Sequence, residues 1–352
     1  GAVTADALLI DGYQSLLSEG STSALTVNNA AIAATHGVKS SISGNAANLT
    51  VNFRGAEVAG TTDEAKISLE NTGSSVIAAG ATSATVTRVA VAVGAGAEKI
   101  TVATAGTNYA SVAGQTTTTT LSITGNGTNN IDVGTLKAAS SIDASASTGA
   151  NTFNIGSSLT TGDSITGGTG TDTVTFTADE TATVTMAGVE TLQINGGTRT
   201  TTFSANPALT SLNVRSTDAT TFAGLTTLSN LNYQGTAAAT YAGTSGNVSL
   251  NTAFAGTADA LAVAVGNRGV TANGSYNAGV LQVSGVEGVT LTQSDMLATG
   301  TTTFSLKDTG LKTLAVTTAG SLTLTLNTKA DSAPLWSGTT ASTTGSNSVT
   351  SV

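Results

Sequence analysis

Cysteine is absent from this 352-residue chain, so no disulfide staples it and a thiolate zinc site is excluded. Histidine occurs once, as His36 in AATHGVKS, with no acidic or thiol neighbour in sequence; it reads as a surface loop histidine. Proline is confined to Pro207 and Pro334, so few positions forbid ladder pairing. Aromatic residues make up only 4%, which leaves Leu, Val, Ile and Ala to fill an interior. Charge is scarce as well, with 12 basic against 21 acidic residues and a net charge of −9. No basic stripe exists, which argues against a nucleic-acid partner. No apolar run approaches the length of a membrane span. The opening GAVTADALLIDGYQSLLSEG has neither an initiator Met nor the basic-then-apolar layout of a signal peptide.

What remains is mainly Thr, Ser, Ala, Gly, Asn and branched aliphatics. Thr and Val favour pleated strands, and Gly and Asn favour tight corners. Many hydroxyls with little charge suit a surface that packs against copies of itself or sits in a high-salt exterior. Residues 4–18 place Leu8, Leu9, Tyr13, Leu16 and Leu17 at helical spacing, which predicts one short amphipathic helix ending at Gly20. Alternation then takes over in NLTVNF (48–53), AKISLE (65–70), TVTRVAVAV (85–93) and EKITVAT (98–104). The expected organisation is an N-terminal arm over 1–20, a smaller β domain over 21–115 and a β-solenoid domain over 116–352. The fold class is all-β.

A coarser period sets in beyond residue 116. Apolar pairs recur as Ile131/Val133, Phe153/Ile155, Val174/Phe176, Leu192/Ile194, Leu212/Val214, Leu231/Tyr233 and Val248/Leu250, then Val263/Val265 and Leu281/Val283. Successive separations from Val174 to Val248 are 18, 20, 19 and 17. One short strand per repeat, with Gly-rich polar residues between, is what a parallel stacked coil requires. Each turn then buries its inward residues against the turns on either side. An antiparallel sandwich also alternates, but its hairpins need turn pairs every eight to twelve residues. Asn-Gly occurs only at 126–127, 195–196 and 273–274, so the β-roll-like solenoid is favoured.

The stretch TGDSITGGTGTDTVTF (161–176) carries the candidate chemistry. GGTGTDTVT (167–175) fits the nonapeptide G-G-x-G-x-D-x-U-x, and SLTTGDSIT (158–166) keeps its second half. Glycines let backbone carbonyls turn towards one point, and an aspartate adds a hard anionic oxygen, as calcium prefers. The candidate ligands of a Ca2+ ion are Asp163, Gly168, Gly170 and Asp172. A step of 18 from Asp172 adds Asn154 and Glu190 as an oxygen-bearing column. Copies with Asn in place of Asp occur in GTNNI (127–131) and GANTF (149–153).

In these residues the chain resembles the repeats-in-toxin (RTX) proteins. MAGVETLQING (186–196) and SGVEGVTLT (284–292) are similar to the G-V-E-T strands of bacterial S-layer proteins that carry such repeats, as is ALTSLNVRSTDATTF (208–222). The likeness covers about residues 120–330 and is specific at 162–175 and 188–194. It implies a two-dimensional coat outside the cell, built from copies of the chain, with calcium needed for folding and lattice contacts and export by type I secretion. A cell-surface polysaccharide is the candidate anchor. A secreted toxin would carry long runs of the nonapeptide, and barely two are present, which favours a coat or an adhesin.

Enzymatic activity is not expected. A polysaccharide lyase on a β-solenoid needs paired carboxylates, or carboxylates with Arg or Lys, plus aromatics to stack on sugars. Asp179 and Glu180 are adjacent and face opposite sides of a strand, while Arg199, Arg215, Arg268 and Lys307 are isolated. Trp336 stands alone and is expected to pack a terminal cap.

Overall fold

The computed structural model describes residues 1–40, 47–76, 85–113, 117–134, 136, 140–156, 160–176, 180–195, 199–203, 208–215, 220–223, 225, 228–234, 247–254, 258–266, 276–293, 301–308, 310–327 and 336–340. Described strands are short and almost all parallel-paired, and the architecture is the parallel β-solenoid that the apolar period predicts. By contacts the chain divides into two units, Gly1–Thr175 with Thr183–Val189, and Phe176–Ala182 with Glu190–Val352.

In the first unit the chain alternates between two sheets, so each coil contributes a strand to both. One sheet runs Val3–Asp6, Leu25–Ala30, Leu49–Phe53, Val89–Val93, Thr107–Ala113, Thr128–Val133, Asn151–Ile155. The other runs Ser15–Glu19, Thr35–Lys39, Glu64–Glu70, Lys99–Ala105, Thr120–Gly125, Ser141–Ser147, Ser164–Thr166. Alternate residues stack into inward rows: Ile100 pairs with Leu121 and Ala65, Ile131 with Phe153, and Val133 with Ile155, all buried. Fully burying each such side chain contributes roughly 1.5–3 kcal/mol. An antiparallel ribbon, Ser74–Val76 with Thr85–Thr87, departs from the winding.

The boundary expected at 115/116 falls outside the described residues, and the strands flanking it both belong to the first unit. The helix expected over 4–18 does not form. Val3–Asp6 and Ser15–Glu19 are strands, and only Ala7–Leu9 makes a 3-10 turn, with Asp6 Oδ1 accepting from Leu8 N at 3.1 Å. Parallel pairing of Val3 with Leu25 and of Leu16 with His36 gives this backbone ladder partners. A helix of about 15 residues is marginal on propensity alone, so tertiary pairing decides.

In the second unit one sheet stacks Thr191–Ile194, Ser211–Val214, Asn230–Tyr233, Ala260–Val265, Gly288–Gln293 and Thr313–Thr318. Its inward rows are Leu192, Leu212, Leu231, Val263, Leu291, Val316 and Ile194, Val214, Tyr233, Val265, Gln293, Thr318. The apolar period misassigns one step. Val248/Leu250 and Leu281/Val283 lie in the opposite sheet, where Leu250 pairs with Phe222 and Leu281 with Val248. The rung after Leu231/Tyr233 is Val263/Val265, because a coil carries two strands and both bury alternate aliphatics. The last pairing reverses direction: Trp336–Thr340 runs antiparallel to Ser321–Asn327.

Candidate functional site

The turn that carries Asp172 follows a strand of the second sheet in the first unit, Ser164–Thr166, and the turn that carries Asp163 precedes that strand. After the strands of that sheet a short motif, G-x-N or G-x-D, recurs as Gly106-Thr107-Asn108, Gly127-Thr128-Asn129, Gly149-Ala150-Asn151 and Gly170-Thr171-Asp172. The asparagines are buried and stack one above another. Asn108 Nδ2 donates to Asn129 Oδ1 at 3.1 Å, Asn129 Nδ2 to Asn151 Oδ1 at 2.8 Å, and Asn151 Nδ2 to Asp172 Oδ1 at 2.8 Å. The same amide groups donate within their own turns, to Ala105 O, Gly127 O and Gly149 O. At the far end the Thr72 N–H and hydroxyl donate to Asn108 Oδ1. Every amide in this column therefore has an acceptor for its hydrogens and a donor for its oxygen, as burial demands.

Asp172 ends this run of donors as an acceptor. Its Oδ1 also takes the Asn151 backbone N–H at 2.8 Å, and its Oδ2 takes the Gly168 N–H at 2.6 Å. Asp163, likewise buried, accepts from Ser140 N at 2.6 Å and Thr160 N at 2.6 Å, with the hydroxyls of Ser140 and Thr160 at 3.4 and 3.2 Å. Bonds of this kind, a carboxylate against backbone N–H, are about twice as strong as neutral ones.

The glycines serve close approach between coils. A Cβ on Gly168 would lie 2.1 Å from Ser147 O, and one on Gly170 would lie 2.4 Å from Gly149 O. Gly106, at φ +65, and Gly162, at φ +98, occupy the left-handed region that favours glycine. The neighbouring carbonyls are engaged too: Gly149 O accepts from Asn151 Nδ2, and Gly125 O accepts the Thr148 N–H at 2.8 Å.

A calcium ion asks for six to eight converging oxygens. Both oxygens of Asp163 and of Asp172 instead meet N–H or O–H donors, so much of their acceptor capacity is already used inside the protein. These residues do not fit a calcium cage. The other expected ligands lie elsewhere. Asn154 turns its Nδ2 to Asn130 Oδ1 (2.7 Å) and Asp132 Oδ1 (2.9 Å), beside the Arg88 guanidinium, which bonds Asp132 Oδ2 and Asn130 Oδ1. Glu190 belongs to the second unit, where its backbone carbonyl accepts from Thr210 N and Ser211 N, both at 3.0 Å. Among the described residues no three His, Cys, Asp or Glu side chains gather where they would hold a metal.

Sequence reading also missed what a glutamate just before a strand does. In the first unit Glu98 Oε2 accepts the Asp63 N–H at 2.9 Å, while its carbonyl accepts from Thr119 and Thr120. In the second unit Glu287 Oε2 accepts the Asp259 N–H at 2.9 Å, while its carbonyl accepts from Lys312 and Thr313. One residue thus ties its own coil to the coils before and after it. The recurrence of Glu ahead of the strands in EKITV, VETLQ and VEGVTL is the signal that was available.

His36 is fully buried in Thr35–Lys39, contrary to the expected surface position, because it falls on the inward row between Leu16 and Ile67. Tyr13 Oη accepts from Ala31 N at 2.8 Å and shares a hydrogen bond with His36 Nε2 at 3.1 Å. Among the described residues Nδ1 has no hydrogen-bond partner, and burial lowers the pKa from 6.5 to about 4. As pH falls below 6.5 the unfolded chain takes up a proton that the folded chain refuses. Stability should therefore drop by about 3 kcal/mol between pH 6.5 and pH 4, and show no contribution from this group above that window. Asp308 acts in the opposite sense, since burial raises its pKa and its contribution favours folding at low pH. Urea unfolding of wild type and His36→Gln, at neutral pH and near pH 4, separates the two, and equal acid losses would refute the His36 assignment.

Of the remaining candidates, Asp179 and Arg268 lie outside the described residues, and Arg215 Nε donates to Gln234 Oε1 at 2.7 Å. No protein-family model, curated protein or solved structure matches the chain.

Proposed function

We propose that the chain is a structural protein of the cell surface that assembles with its own copies into a two-dimensional array, as S-layer proteins do. The fold is compatible with a structural or adhesin-like surface protein. The observation that carries the reading is how the polar side chains are used. Buried Asn and Asp and half-buried Glu hold coil to coil. Among the described ion pairs, Lys39–Glu70, Lys99–Glu64 and Lys312–Glu287 join neighbouring coils, Arg54–Glu57 joins residues of one turn, and Arg88–Asp132 reaches past the coil between them. The outward positions that remain are largely Thr, Ser, Asn and Ala. Such faces desolvate at low cost when they meet another protein surface, since few charges must be stripped of water.

A lattice requires at least two mutually fitting patches on each copy, giving heterologous contacts that repeat in a plane. Negative-stain imaging of the concentrated, purified chain tests this. Planar arrays are the expected result. Dispersed particles that retain glycan would replace the coat with an adhesin, and depolymerisation of an acidic polysaccharide would replace both with an enzyme. Imaging with and without chelator reads the array's own need for divalent ions separately from that of the fold.

A further inference from the structure

We infer that the carboxylate turns at 160–172 hold the coils of the first unit together without a metal ion, with Asp172 as the terminal acceptor of a buried amide ladder. The inference concerns the fold and stands whether or not the chain forms an array.

The argument rests on donor bookkeeping. Each ladder amide offers hydrogens forward, from Asn108 to Asn129 to Asn151 to Asp172, across sequence steps of 21, 22 and 21 residues. A run of amides donating in one direction needs a final group that accepts without having to donate. Ionised aspartate is such a group, and asparagine is not. Asp172 receives the Asn151 side chain, the Asn151 backbone and the Gly168 backbone N–H together. Asp163 repeats the arrangement on the Ser140 and Thr160 N–H groups. A cation brought to either carboxylate would share it with two or three buried N–H donors, whose positive ends oppose it. Folding of this chain is accordingly not gated by the ion that its nonapeptide implies.

Thermal unfolding of the whole chain, followed by circular dichroism in millimolar calcium chloride and in excess EGTA, is the test. Wild type should melt at the same temperature in both. Asp172→Ala should lower the midpoint by roughly 5–10 °C, equally in both media, because donors lose their acceptor. Asp172→Asn should lose less, since it still accepts from Asn151 but turns N–H against the Gly168 N–H. Asn129→Ser, which breaks the column at its middle, should lower the midpoint without changing the response to calcium. A calcium-induced rise that survives undiminished in both Asp172→Asn and Asp163→Asn places the ion outside these turns and leaves the inference standing. A rise that either variant abolishes overturns it. Should those variants fail to fold, a chelator-sensitive midpoint in wild type together with loss of that sensitivity in Asn129→Ser overturns it equally.

Discussion

Gly167→Ala is expected to destabilise the first unit by upwards of about 4 kcal/mol, a single methyl with the effect of a lost core side chain. The added Cβ would sit 1.8 Å from Gly188 O and 2.6 Å from Asp172 Oδ2. Neither atom is the free end of a flexible chain. Gly188 is backbone in an adjacent coil whose Ala187 carbonyl accepts the Gly167 N–H at 2.8 Å, and Asp172 is fixed by Asn151 and Gly168. Relief requires separating coils at a turn where their backbones bond directly. Gly156 gives the control, since a Cβ there meets nothing within 4 Å; Gly156→Ala should stay within about 0.5 kcal/mol of wild type or gain slightly from a stiffer unfolded chain. Denaturant midpoints compare the two, and near-equal midpoints would refute the close-stacking account of the G-G-x-G turn.

Phe153→Ala should cost about 3–5 kcal/mol. Phe153 is completely buried on the inward row, in register with Ile131, in a chain where aromatic residues are only 4%. A solenoid coil finds its core only in the coils next to it, so a cavity here loosens contacts on both sides of its own rung. Phe153→Leu keeps most of the volume and should cost less than about 1.5 kcal/mol. Urea titrations of both variants provide the measurement, and a small, equal loss in each would show that this row collapses freely and is not tightly packed.

Much of the fold could be read before any coordinates. Alternation in NLTVNF, AKISLE and EKITVAT marks strands, and every apolar pair from Ile131/Val133 to Leu281/Val283 is buried. The glycine-rich turn also stands out by composition alone. The helix over 4–18 failed for a different reason: Leu8 and Leu9, which the helical stripe would turn inward, are 61% and 84% exposed, and strand pairing on either side of them outweighs local periodicity.

By itself the sequence determined that the chain winds, which residues face inward, and where backbones must come close, because a period of two and an obligatory glycine are local properties. Only the tertiary structure decided which sheet each strand joins and which side chains meet across coils. A doublet of nonapeptides suggests a step of 18, whereas the amides of this corner meet at steps of 21 and 22, set by the lengths of the intervening turns. At those steps Asp172 faces Asn151, and a carboxylate that meets N–H donors is a hydrogen-bond acceptor first. Partner identity depends on that distance, and no local pattern of residue types encodes it.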